Sequence, residues 1–181
     1  MMSSILNNFN DMLGGDVVGQ VGKALGLSQK QVNQGMSIAG PLISGSIAKS
    51  TSTSSGMERF TNILDQVKSL PVTGSGDMMS GILNSMNQGA GGTSADMMQS
   101  LLGSGVNAIS GTLSKKLGFN VRPIITTAVP MVVGAISKMM NSEHLEAQGA
   151  VQRLRNEHEA WQKDPAHSAT NNLINEAYAA G

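Results

Sequence analysis

Three histidines are the residues of this chain best suited to metal or acid–base chemistry, at His144, His158 and His167. His158 stands between Glu157 and Glu159, and His144 follows Glu143. Neighbouring residues on a helix point in different directions, so these pairs are poor chelators. No H-E-x-x-H pattern occurs, and no metal site is expected. Serines are numerous, yet none lies in G-x-S-x-G. The stretch GSGVN at 103–107 and the glycines at 89–92 invite a phosphate-loop reading. That loop needs a preceding strand and a closing G-K-[ST], and neither is present. The glycines are better explained as helix stops and linker. No catalytic residue, metal ligand or cofactor-binding residue is assigned, no cofactor is implied, and the expectation is a non-enzyme.

Two groups of residues remain as candidates. Lys115, Lys116 and Arg122 form the densest basic cluster and could contact nucleic acid. A helix C-terminus also favours cations through its dipole, which accounts for Lys115 and Lys116 without a ligand. Gly40, Ser44 and Ala48 recur every fourth residue, as do Ser104, Ala108 and Thr112. Such stripes let helix backbones approach closely, within one chain or between subunits. Val151, Leu154, His158 and Trp161 follow a three-four-three spacing and form an apolar seam. Gly40, Ser44, Ala48, Val151, Leu154 and Trp161 are therefore the candidates for self-association.

Composition narrows the classes further. The chain has 181 residues, 40% of them hydrophobic but only 3% aromatic, so Leu, Ile, Val, Met and Ala must build the core. Charged residues make up 13%, about half of ordinary usage. Twelve Lys and Arg balance twelve Asp and Glu. Nucleic-acid affinity rests largely on basic charge, so this balance argues against it. A neutral chain also has little electrostatic protection against self-association. There is no cysteine, which excludes disulfides. The N-terminus MMSSILNNFNDM lacks the basic and apolar regions of a signal peptide. The most apolar run, Ile124 to Ile136, contains Thr126, Thr127 and Pro130 and falls short of the roughly 20 residues of a membrane span. The expected location is the cytoplasm, with secretion independent of a signal left open.

The elements that must position these residues read as helices. AGPLISGSIAK at 39–49 matches AVPMVVGAISK at 128–138, KALG at 23–26 matches KKLG at 115–118, and MLGGDV at 12–17 matches LLGSGV at 101–106. This is an internal duplication, 12–50 against 101–139. In the first copy Asp16 is positioned to cap a helix carrying Val17, Val18, Val21 and Leu25, with Gly26 as its stop. Ser28 and Gln31 make a capping box before Val32, Met36, Ala39, Ile43 and Ile47 at helical spacing. Pro41 and Pro130 interrupt the two long runs, so each should kink or start a new helix there. Ser55 and Glu58 make a second capping box before Met57, Phe60, Leu64 and Val67, with Pro71 as the stop. Val106, Ile109, Leu113 and Leu117 share a face. A charged helix runs over 143–164 to Asp164-Pro165, and a last one over 168–179 buries Leu173, Ile174, Ala177 and Tyr178. A short Met-rich helix is expected near 77–86, and Thr93 with Asp96 as a further cap.

The pattern LGLSQKQV at 25–32 and GPLISGSIAK at 40–49, the Gly-rich middle and the second P-x-x-x-G block together resemble the bacterial domain-of-unknown-function family numbered 937. The resemblance covers about 12–140 and stops before the charged tail. It implies a bacterial source and a helical fold, some relatives being likened to homeodomain-type folds. It carries no activity, catalytic residue or ligand.

The fold expected is all-α, a helical bundle of two degenerate pseudo-repeats with a C-terminal extension. Its divisions are 1–70 for the first helical repeat, 71–94 for a Gly/Ser/Met-rich linker, 95–141 for the second repeat and 142–181 for the charged extension. The function expected is a self-associating structural or scaffold protein, a homo-oligomer or filament, with the methionines as adaptable surface. Two alternatives stand beside it. One is a helix-turn-helix-like nucleic-acid binder, from the family analogy and the basic cluster. The other is a membrane-active or secreted effector without a transmembrane span, from the apolar Gly-rich helices at 36–48 and 124–136.

Overall fold

The computed structural model describes Ile5, Phe9, residues 17–68 and residues 105–180. Among these residues the chain is all-α: α1 Val17–Leu25, α2 Gln29–Ser50, α3 Ser54–Lys68, α4 Val106–Leu117, α5 Arg122–Glu143, α6 Ala147–Lys163, a 3-10 turn Pro165–His167, and α7 Ser168–Ala180.

Local chemistry sets the boundaries. Gly26 closes α1 at φ 70°, a left-handed conformation that glycine adopts without a Cβ clash. Leu27 N–H then reaches back to the Gly22 carbonyl at 2.8 Å and satisfies one of the orphan acceptors of the helix end. Gly118 ends α4 in the same way at φ 83°. Ser28 opens α2 with the full capping box: its hydroxyl accepts from Gln31 N–H at 3.2 Å, and the Gln31 amide oxygen accepts from Ser28 N–H at 3.0 Å. At the start of α3 the cap is Thr53, whose hydroxyl accepts from Gly56 N–H at 3.1 Å. The expected Ser55–Glu58 box is not the cap. Thr51 closes α2 so abruptly that α3 begins before Ser55, which lies within its first turn.

Neither interior proline starts a new helix. α2 runs unbroken through Pro41 and α5 through Pro130, each helix having 22 residues. A proline inside a helix costs about 3 kcal/mol. Complete burial of one Leu or Ile contributes about 1.5–3 kcal/mol. Leu42, Ile43 and Ile47 beyond Pro41 are all fully buried. Continuing the helix to bury them outweighs breaking it.

α5 is the centre of the molecule. Between Ile124 and Met140 only Thr126 and Lys138 reach solvent. α2 packs along it, with α3, α4 and α6 also against it. Gly35 leaves room for Ile124, since a Cβ there would lie 2.5 Å from Ile124 Cδ1. α1 and α6 pack on α2, and α7 packs on α4 and touches α2. The C-terminal helices thus belong to the same core as the rest. Among the described residues α5 is the one helix long and apolar enough to cross a membrane, longer than the 124–136 run suggested. However, 83% of its most apolar stretch is buried inside the protein. Met36, Met131, Met139 and Met140 are buried and Met57 half-buried, so the described methionines fill the core and do not form an adaptable surface. The 71–94 linker, its expected short helix, and the Asp16 and Thr93–Asp96 caps lie outside the described residues.

Candidate functional site

α6 turns two kinds of side chain toward α2. Val151 and Leu154, at the start of its seam, are buried in the core. One turn later the seam becomes polar, with Arg155 and His158 half-buried and Trp161 partly covered. Arg155 reaches the carboxyl end of α2, its Nε donating to the Ala48 carbonyl at 3.3 Å and its Nη2 to Thr51 Oγ1 at 3.4 Å. A cation there complements the negative helix end.

His158 lies against the backbone of Gly45. A Cβ at that position would come within 2.8 Å of its Nε2 and 2.9 Å of its Cε1, so a side chain there would displace the ring. Its Nδ1 is buried with no hydrogen-bond partner among the described residues. Burial pushes its pKa below the ordinary 6.5, so the ring is neutral at pH 7. The imidazole stacks on Trp161, centroids 5.9 Å apart, and Trp161 stacks in turn on His167 at 5.0 Å.

α7 closes the other side. The Tyr178 hydroxyl lies 2.5 Å from Ser46 Oγ and 3.2 Å from the Leu42 carbonyl, and its single proton serves one of the two. Burial raises its pKa, partly offset by the Ser46 bond. The Lys49 ammonium lies 5.4 Å from the Tyr178 ring centre, a cation–π contact. Lys49, Arg155, His158, Glu159, Asn175 and Tyr178 are among the residues that line a cleft of about 450 Å³. Both its cations sit at the carboxyl end of α2, whose partial negative charge opposes an anion. A second cleft of about 660 Å³ lies across Arg155, between α3 and α6. Its Thr51, Ser52, Thr53 and Thr61 hydroxyls donate to the carbonyls of Ile47, Lys49, Ser50 and Met57. What they offer outward is lone pairs.

A charged chain ties the N-terminal segment to α6. Both Glu157 carboxylate oxygens accept from Ile5 N–H, at 2.9 and 3.1 Å. Arg153 joins Glu157 at 3.7 Å and also pairs with Glu143. Phe9 rests on Gly40, where a Cβ would come 2.8 Å from the ring.

The residues expected to mediate self-association are therefore occupied within the chain. Gly40 lies under Phe9, Ser44 is fully buried, the Ala48 carbonyl holds Arg155, Val151 and Leu154 are in the core, and Trp161 is sandwiched by two imidazoles. In the second stripe Ala108 and Thr112 are half-buried, and Ser104 is outside the described residues. The basic cluster is dispersed: Lys116 pairs with Glu176 at 2.9 Å, Arg122 bonds Asn107, and Lys115 is exposed. His144 is the αL cap of α5 at φ 54°, exposed and far from a ligand role. No three metal-ligating side chains gather among the described residues. Arg155 and Gly45 carry no signal in the sequence, and Tyr178 is marked there only as an apolar-face residue, because their partners stand more than a hundred residues away and follow no local period.

No curated protein and no solved structure matches the chain. A family model described as a bacterial protein of unknown function, DUF937, matches residues 7–139, which take in α1 to α4 and most of α5. By that match the chain belongs to the DUF937 family of bacterial proteins.

Proposed function

We propose that the chain is a non-enzymatic scaffold that associates with copies of itself, built from two degenerate copies of one helical unit. The observation that carries this reading is the pairing of α2 with α5. Each is a 22-residue helix with an interior proline, and each follows a short helix stopped by a left-handed glycine. They pack on one another at the heart of the fold. A contact between two such similar partners can also be made between chains, α2 of one against α5 of the next, as in a domain swap. Residues 69–104 join the halves. The balance of twelve acidic and twelve basic residues removes long-range repulsion between copies.

Neither alternative gains from the same geometry. The basic cluster is partly paired, and among the described residues the one helix long and apolar enough to cross a membrane is mostly buried inside the protein. Light scattering across a concentration series tests the proposal. A rising mass is expected, and electron microscopy then distinguishes ring from filament. A clean monomer at the highest concentration would overturn it.

A further inference from the structure

We propose that His158 is a pH-sensitive latch: its neutral imidazole closes α6 onto α2 at Gly45, and protonation releases that contact. This goes beyond the self-association reading and does not depend on it.

The geometry favours the neutral ring in three ways. The first is donor count. An imidazolium carries N–H on both nitrogens, whereas the neutral ring carries one. Protonation would place an N–H at Nδ1, where no acceptor is available among the described residues. A buried N–H of a cation without a partner is more costly than a buried lone pair of the neutral ring, because the desolvation penalty is larger for a charged group.

The second is room. The ring edge is pressed against the α2 backbone at Gly45, so the imidazole cannot shift toward α2 to find a partner. Its face is held by Trp161, and the far face of Trp161 by His167, whose Nε2 lies 3.9 Å from Asp164. Relief comes by withdrawing the ring from Gly45 toward the cleft it lines, which opens the α6–α2 contact there.

The third is charge. Across the cleft α2 presents Lys49, and α6 presents Arg155 and Glu159. α7 presents Asn175 and Tyr178, the latter neutral because burial raises its pKa. Glu157, next in sequence, is engaged by Ile5 N–H and Arg153. An imidazolium would thus meet two cations and one exposed carboxylate.

The direction follows from the lowered pKa. The folded state resists a proton that the unfolded chain takes up at about pH 6.5. Stability from this contact is complete above that pH. It declines as pH falls from 6.5 through the lower folded value. Release would free α6 from α2 beside the Tyr178–Ser46 bond that anchors α7.

Trp161 is the single tryptophan, so its emission reports this stack directly. The full chain is titrated from about pH 8 to about pH 5, following Trp161 fluorescence and the melting temperature. Both should change with a midpoint below 6.5, with a fall in Tm of about 3 °C or more. His158→Phe keeps a ring on Trp161 but takes no proton, and should abolish most of the Tm change. His167→Gln should keep it. The latch is overturned if His158→Phe shows the same Tm loss as the unaltered chain. Should that variant fail to fold, NMR titration of His158 in the unaltered chain decides. A midpoint below 6.5 with concurrent loss of α6 amide protection supports the latch. A midpoint at or above 6.5, or unchanged protection, overturns it.

Discussion

α2 and α5 have the same length, the same interior proline and a lysine in matching position, yet they meet different surroundings. Between Ile124 and Met140, α5 is buried except at Thr126 and Lys138. α2 is dry where it faces α5 and polar where it faces α6 and α7. The matched segments show why. Where α5 has Val133 and Ala135, α2 has Ser44 and Ser46. Ser46 donates to the Leu42 carbonyl at 2.8 Å and bonds Tyr178. Gly45 and Gly134 stand at matching positions of the two segments, but Gly45 admits an imidazole while Gly134 is buried. Of the two hydroxyls that stand where α5 has apolar groups, Ser46 meets Tyr178 of α7 and Ser44 is buried.

Substitutions can break or sharpen this contrast. The largest effect is expected from a charge in the enclosed helix. Val132→Asp places an unpaired carboxyl where exposure is 0%. A loss of more than about 4 kcal/mol, read as collapse of the circular-dichroism melt, is expected. Retention of a cooperative melt near the parent Tm would show that α5 is not the closed core described.

A smaller loss is expected on the polar side of α2. Tyr178→Phe removes the hydroxyl that meets Ser46 and the Leu42 carbonyl, while Ser46 keeps its own bond to Leu42. Denaturant unfolding should show a loss of about 1 kcal/mol. No loss would mean that α7 is held on α2 by apolar packing alone.

The smallest effect should have the opposite sign. Ser44 is fully buried, and its hydroxyl has no hydrogen-bond partner among the described residues. Ser44→Ala removes an unsatisfied group and makes α2 more like α5 at this point. A gain of up to about 1 kcal/mol in the same unfolding measurement is expected. A loss would show that the hydroxyl is satisfied after all.

Much of the helical layout was legible before any coordinates. The Ser28–Gln31 box, the stop at Gly26, and the core faces of α2, α3 and α4 all follow from local rules of capping and period. Errors arose where a local rule had to compete. The prolines suggested breaks, but burial beyond them carried the helices through. Ser55 fitted a capping pattern, but the sharp turn after Thr51 gave the role to Thr53. The candidate site was far less legible. His158 and Trp161 were on a visible seam, but Gly45, Arg155 and Tyr178 enter through contacts that span 104 to 136 residues.

By itself, then, the sequence determined which stretches are helical, where most of them start and stop, and which side of each is apolar. Those properties depend on bonds and spacings within one or two turns. Only the tertiary structure decided that Gly40, Ser44 and Ala48 meet neighbours within the chain, that four of the five described methionines are buried, and that an imidazole rests on Gly45. Each depends on which helix arrives opposite which, and a periodic pattern specifies a face without naming its partner.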